Sequence, residues 1–187
     1  MSKWVPTDYL DLILDEIALA DEEAVCFSQP ATYFQACWPS MWVAETAYVA
    51  GDVVRPPTQN GFVYECTVGG TSGSSEPAWG TTQDGTFSDG TVTWKTHANY
   101  ALINSALASG DKSIADHLDG GRALTIAEKE SVLIHTSGTV THTALITNST
   151  QTLHLVDTAT TIEETTDDVV AGRTCILHTM TIRSLIQ

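Results

Sequence analysis

The segment 41–95 constrains the fold most strongly, because it concentrates large aromatic residues between turn residues. Three of the chain's five tryptophans and two of its five tyrosines lie in it. Its apolar runs are short and are separated by turn sequences such as GTSG at 70–73 and DG at 89–90. Short strands joined by glycine-containing turns are typical of β structure. The sequence therefore predicts a small β module at 41–95, inserted into a different domain.

The charge of the chain excludes several classes of partner. Its 187 residues carry a formal net charge of −15, with only eight lysines and arginines. Such a charge opposes contact with the phosphates of DNA or RNA and with an anionic membrane surface. No apolar run is long enough for a membrane-spanning helix, and the N-terminus lacks the apolar core of a signal peptide. We expect a protein made in a cytoplasm, with no nucleic-acid partner and no membrane partner.

The cysteines and histidines show no pattern of a metal site. Cys26, Cys37, Cys66 and Cys175 have no C-x-x-C spacing, and in a reducing cytoplasm we expect small core residues rather than disulfides. The six histidines are scattered, whereas a zinc site needs three or four converging ligands. The sequence also lacks the usual motifs of nucleophilic, phosphate-binding and zinc-dependent enzymes. It therefore predicts no metal, no cofactor and no catalytic residue.

Apolar spacing predicts helices at the start and in the middle of the chain. Apolar residues three, four and seven positions apart indicate an amphipathic helix over 7–20, with its stripe at Leu10, Ile13, Leu14 and Ile17. The acidic triplet at 21–23 is predicted to end this helix. Two shorter helices are predicted at 31–36 and 100–108.

Most of the remaining chain is predicted to be β. The predicted strands are 24–28, 122–127, 130–135, 139–147, 152–157, 158–164 and 174–183. A turn is predicted at 119–121, and the sequence NST at 148–150 is predicted to join two of the strands as a hairpin. In the last strand, the bulky face is predicted to carry Ile176, His178, Met180 and Ile182.

This pattern predicts a mainly β protein with short helices, of the α+β class. Strands that recur roughly every ten residues are typical of an antiparallel β-sandwich or a partly open barrel. Residues 1–40 and 96–187 are predicted to form one discontinuous base domain with an N-terminal helix. The β module at 41–95 is predicted to interrupt it.

The aromatic residues of the module are the candidate binding residues. Exposed aromatic faces stack on the apolar C–H faces of sugars, so the sequence gives a carbohydrate-binding set of Trp79, Tyr48, Tyr64, Trp42 and Trp94. A second interpretation remains open, because a small β module also needs large aromatics for its core. We expect Trp42 and Trp94 to be mostly core and Trp79, in a loop after a proline, to be the exposed platform.

The module resembles the small carbohydrate-binding, chitin-binding-like modules of chitinases and of many tailed-phage structural proteins. The matching sequences are TAYVAGDVV at 46–54, YEC at 64–66, EPAW at 76–79 and DGTVTW at 89–94, together with Trp42. The GTSG loop followed by E-P-x-W corresponds to the phage-type version. The resemblance implies either glycan binding or a structural spacer.

The two flanks resemble a group of small phage virion proteins. The matching sequences are WVPTDYLD at 4–11, VCFSQPATY at 25–33 and TSGTVTHTALI at 136–146. The resemblance implies a virion structural protein, with a capsid decoration protein as the first interpretation. A tail or head–tail junction component and a free glycan-binding protein are the alternatives. The implied partners are the major capsid protein or other virion proteins, further copies of the chain as a homo-oligomer such as a trimer, and surface glycans.

Overall fold

A computed structural model of the chain describes residues 7–118, 121–158 and 168–184. The chain forms two compact units. One, here called the base, combines the residues up to Ala36 with those from Ala101 onwards. The other, here called the inserted unit, is Cys37–Tyr100 and contains the segment 41–95 that the sequence singles out.

Strands are the main regular structure of the described residues. The helices are α1 (Thr7–Ala18) and α2 (Tyr33–Ala36), with a single 3₁₀ turn at Ser109–Asp111. The strands are β1 (Glu22–Cys26), β2 (Ala47–Tyr48), β3 (Val53–Val54), β4 (Phe62–Val68), β5 (Gly70–Thr71), β6 (Thr86–Asp89), β7 (Val92–Ala98), β8 (Ala101–Ala106), β9 (Lys112–Asp116), β10 (Arg122–Ile126), β11 (Lys129–Leu133), β12 (Gly138–Thr139), β13 (His142–Thr147), β14 (Thr152–Thr158), β15 (Asp168–Val169), β16 (Thr174–Leu177) and β17 (Met180–Ser184). The predicted fold class, mainly β with short helices, is confirmed.

The base is built from antiparallel sheets. Its largest sheet has the order β14-β13-β1-β8, and a three-stranded sheet has the order β17-β10-β9. Two smaller pairs are β11-β16 and β12-β15. The predicted hairpin is confirmed, since β13 pairs antiparallel with β14 across the turn after Thr147.

Two apolar clusters give the base a sandwich-like core. The first joins Val25 of β1 and Ile103 of β8 to Ile134 and to Leu177 of β16. The second joins Leu145 of β13 to strands β10 and β17. Both clusters place the largest sheet against a facing layer, and its central strands β1 and β13 are buried along almost their whole length.

Helix α1 packs on the base through one side. Leu14 is buried and Ile17 is partly buried in the second cluster, but Ile13 is 49% exposed. Ile13 follows the apolar spacing but lies at the edge of the stripe, so the predicted stripe includes one residue too many. The side chain of Leu10 lies outside the described residues. The Nζ of Lys112 donates a hydrogen bond to the carbonyl of Ala18 at 2.7 Å, which satisfies an otherwise unpaired group at the helix end.

The predicted helix at 100–108 is wrong. Residues Ala101–Ala106 instead form β8, which pairs with β1. Ala101, Leu102 and Ile103 are all buried, so both faces of the strand are covered. Such a strand shows no alternation, and its alanines give a misleading helix signal that the tertiary pairing overrides.

Two predicted long strands are each two strands. The segment 139–147 contains part of β12 and all of β13, and the segment 174–183 contains β16 and most of β17, which belong to different sheets. In β16 the buried side chains are Cys175 and Leu177, whereas in β17 Met180 is buried. The break between the strands changes the alternation, so Ile176 and His178 do not continue the buried face of Met180. Residues 119–120 and 159–167 lie outside the described residues, which leaves the turn at 119–121 and the strand at 158–164 as predictions.

The ends of each unit are tied by asparagine side chains. In the inserted unit, the Nδ2 of Asn99 donates to the carbonyl of Cys37 at 2.8 Å. In the base, the Nδ2 of Asn104 donates to the carbonyl of Ala36 at 2.9 Å. The two ends of each unit therefore lie side by side, which is the geometry of a unit inserted at one point of another.

Candidate functional site

The inserted unit is organised around a cluster of aromatic rings. Its sheet has the order β3-β4-β7-β6, and β2 pairs with β5 beside it. Trp42, Tyr64 and Trp94 are buried in its core, together with Val54, Cys66 and Val92. Tyr48 and Trp79 are partly exposed and pack against this core.

A buried carboxylate holds two of the tryptophans in place. The Oδ2 of Asp89 accepts the indole N–H of Trp42 at 2.8 Å and that of Trp94 at 3.2 Å. Its Oδ1 accepts the backbone N–H of Gly73 at 2.8 Å. Asp89 therefore joins the end of β6, the core and the GTSG loop in one hydrogen-bond network. In the sequence this aspartate is recognisable only as part of a turn, through its D-G dipeptide.

The glycine after Asp89 is required by close packing. Gly90 has a φ of +60°, and a Cβ there would lie 2.4 Å from the carbonyl oxygen of Thr71. Thr91 donates its backbone N–H to that same carbonyl at 2.9 Å. Only glycine fits this position, so the D-G pair fixes both the turn and the direction of the Asp89 side chain.

Three of the five candidate sugar-binding rings are core residues. Trp42, Tyr64 and Trp94 are buried, and a buried ring offers no face on which a sugar can stack. The Tyr64 hydroxyl is also engaged, since it donates to the carbonyl of Gly80 at 2.9 Å and accepts from Asn60 at 2.7 Å. Burial raises the pKa of Tyr64 above its ordinary value. The exposed part of the candidate set is therefore reduced to Tyr48 and Trp79.

Trp79 covers one end of the aromatic core. Its ring centroid lies 4.5 Å from that of Tyr64, with an interplanar angle of 36°, and it meets Trp42 and Phe87 edge to face. Its indole N–H donates to the Oε1 of Glu76 at 2.7 Å. Three ring contacts leave only part of the indole open, so the ring is less exposed than a loop position after a proline suggested.

Tyr48 is the second partly exposed ring. It meets Trp94 edge to face at a centroid distance of 5.0 Å. Its hydroxyl accepts the backbone N–H of Val43 at 2.9 Å, and the side chains of Val43 and Val49 are exposed. A tyrosine ring between exposed apolar side chains provides a surface that suits an apolar C–H face better than a charged group.

The cysteines and two of the histidines, His97 and His178, are held within the fold. His97 lies 2.8 Å from the Oε2 of Glu65, and His178 lies 2.9 Å from the Oε2 of Glu128. All four cysteines are buried, and burial raises the pKa of Cys26 to about 12, so that thiol is not a reactive thiolate near neutral pH. Within the part of the chain that the structure describes, no group of three His, Cys, Asp or Glu side chains has the arrangement of a metal site.

Comparisons of the chain with protein-family models, with curated proteins and with solved structures found no match. Among the described residues, no helix is both long and apolar enough to cross a membrane. The site therefore has to be interpreted from its own geometry.

Proposed function

We propose that this protein is a structural component of a tailed-phage virion, a capsid decoration protein that displays a carbohydrate-binding unit. The observation that carries the proposal is the two-unit architecture, with one compact unit inserted at a single point of the other. In this proposal the base attaches to the major capsid protein and to further copies of itself. The inserted unit projects and meets surface glycans.

The composition supports a role in a high-copy assembly. A net charge of −15 keeps a displayed protein dispersed at high local concentration and disfavours adhesion to nucleic acid. Helix α1 of the base supplies an exposed apolar surface for attachment, at Leu12 and Ile13. The resemblance of the flanks to small virion proteins points to the same class.

The two partly exposed rings support carbohydrate binding. Tyr48 has exposed valines beside it, and Trp79 has a carboxylate at its indole nitrogen. A sugar would stack its C–H face on a ring and place a hydroxyl against the Glu76 carboxylate. The chitin-binding-like resemblance supports the same ligand class, with a structural spacer as the alternative role of this unit.

Trp79→Ala should weaken glycan binding by about 1–3 kcal/mol, the usual contribution of an aromatic ring stacked on a flat ligand. The measurement is a glycan array with chitin fragments and bacterial surface polysaccharides, probed with the whole chain displayed in many copies on beads. The matched control is Trp38→Ala, because Trp38 is a partly exposed tryptophan of the same unit that stacks on Arg55 outside the aromatic cluster.

Binding by wild type and by the Trp38 variant, but not by the Trp79 variant, is the expected pattern. Near-ultraviolet circular dichroism on the same samples establishes that the Trp79 variant is folded. Absence of binding by the wild-type protein to every glycan would contradict the carbohydrate role and leave the inserted unit as a spacer.

A tail or head–tail junction component is the second candidate, because the same base would serve at a low-copy position. A free glycan-binding protein is the third. The number of copies in purified particles distinguishes all three.

A further inference from the structure

A pocket of about 430 Å³ lies in the base, between the end of α1 and the β13–β14 hairpin. It is lined by Glu16, Leu19, Asp21, Thr147, Ser149, Thr150, Thr152 and His154. Pockets that hold small groups fall in this size range. None of the candidate glycan residues contributes to it.

The hydrogen bonds of the pocket fix the tautomer of its histidine. The Thr147 hydroxyl donates to the carbonyl of Leu19 at 2.9 Å, so its oxygen is available to His154 only as an acceptor. The Nε2 of His154 lies 2.7 Å from that oxygen and must carry the proton. In the neutral imidazole, Nδ1 is therefore a hydrogen-bond acceptor.

This Nδ1 faces a second acceptor. It lies 3.9 Å from the Oε1 of Glu16, which is too long for a direct hydrogen bond. The His154 side chain is 4% exposed, whereas that of Glu16 is 69% exposed. Two acceptors that face each other at this distance are stabilised by a donor that reaches both. A tetrahedral ammonium can donate to two acceptors 3.9 Å apart through slightly bent hydrogen bonds of ordinary length.

The rest of the lining favours a cation on an apolar stem. Its remaining polar groups are the Asp21 carboxylate and hydroxyls, and no lysine or arginine is among the described lining residues. Leu19, which directly follows α1, forms an apolar wall and is 60% exposed. An exposed leucine beside a carboxylate complements a side chain with an alkyl stem and a charged end.

We propose that this pocket is a docking site for a lysine side chain of a partner protein. The ammonium lies between the Glu16 carboxylate and the Nδ1 of His154, and the alkyl stem lies along Leu19. The partner surface around the lysine covers the exposed Leu19 side chain. The inference concerns the base alone and does not depend on glycan binding by the inserted unit.

The test is a titration of the full chain with Nα-acetyl-lysine amide, followed by two-dimensional NMR at pH 7.5. Saturable shifts are expected at the amides of residues 147–152 and at the His154 ring. Nα-acetyl-norleucine amide, which has the stem without the charge, should bind at least about tenfold more weakly, as expected for loss of a charge-assisted hydrogen bond.

A pair of variants distinguishes binding of the lysine probe in the pocket from its general attraction to an acidic protein surface. Glu16→Gln should weaken binding of the lysine probe about tenfold, whereas Asp15→Asn should change it less than about twofold. Both variants remove one negative charge from exposed positions of α1, but Asp15 does not line the pocket. Equal effects of the two variants, or no binding of the lysine probe, would overturn the proposal.

Two further results would also overturn it. If both ring nitrogens of His154 are protonated at pH 7.5 without a probe, Nδ1 is itself a donor to Glu16 and no lysine is needed between them. If glucosamine binds more tightly than the lysine probe, the occupant is an amino sugar rather than a protein side chain. A neutral His154 ring and a preference for the lysine probe support the assignment.

Discussion

Asp89→Asn should unfold the inserted unit while the base remains folded. The carboxylate accepts three N–H groups, from Trp42, Trp94 and Gly73. An asparagine offers one acceptor oxygen and turns an NH₂ group toward a donor, so at least one buried N–H loses its partner. Each such loss costs about 1–3 kcal/mol, and more when the acceptor was charged. We expect a total of about 3 kcal/mol or more, which is most of the stability of a unit this small.

Tryptophan fluorescence during urea unfolding measures this effect, because four of the five tryptophans lie at 38–94 in the inserted unit. The control is Asp84→Asn, which removes an exposed carboxylate of the same unit that pairs with Lys95 at 2.9 Å. This variant should keep the wild-type transition, since surface ion pairs contribute little. A midpoint for Asp89→Asn equal to that of Asp84→Asn would show that the network does not hold the core together.

Glu23 should make the base less stable as the pH rises through neutrality. It is 1% exposed within β1, and its two carboxylate oxygens are buried without a hydrogen-bond partner among the described residues. Burial raises the pKa of Glu23 to about 7, and the nearby charge of Lys129, which itself pairs with Asp111, lowers it only in part. The folded state therefore holds a proton that the unfolded chain releases near its ordinary pKa.

The direction and size of this effect follow from linkage. Because the folded pKa is above the unfolded one, the stabilisation is complete below about pH 4.5 and is lost as the pH rises to about 7. A shift from 4.5 to about 7 corresponds to about 3 kcal/mol. The wild-type base should lose about this much stability between pH 5 and pH 8, relative to Glu23→Gln, which cannot ionise.

Hydrogen exchange of peptides from β1 and β13 measures the stability of the base separately from that of the inserted unit. Glu130→Gln is the control, because it removes an exposed glutamate of β11 in the base and should retain the wild-type pH dependence. An identical change in protection between pH 5 and pH 8 in wild type and Glu23→Gln would contradict a buried neutral carboxyl.

Local patterns allowed the sequence to predict helix α1 and the β13–β14 hairpin. Apolar spacing within one helix, and two strands joined by a short polar turn, depend on neighbours in the chain. Strand β8 was missed because its partner, β1, lies about eighty residues earlier and covers it on pairing. The break between β16 and β17 was missed for a similar reason, since each strand finds its partner in a different sheet.

The exposure of individual side chains was harder to predict than the presence of an aromatic β module. The burial of Trp42 and Trp94 was predicted, but Tyr64 was a candidate binding residue and is buried as well. The acidic triplet 21–23 was expected at the surface end of a helix, whereas Glu23 is buried in a central strand. The pocket at His154 also could not be predicted, because its lining comes from α1 and from a hairpin more than a hundred residues later.

The most direct test of the proposed function is the copy number of the chain in purified phage particles. Quantitative mass spectrometry would compare its peptides with those of the major capsid protein in the same sample. A decoration protein follows the capsid symmetry, so we predict on the order of hundreds of copies per particle. A count near six to twelve would place the chain in the tail or at the head–tail junction, and its absence from the particles would contradict the virion role.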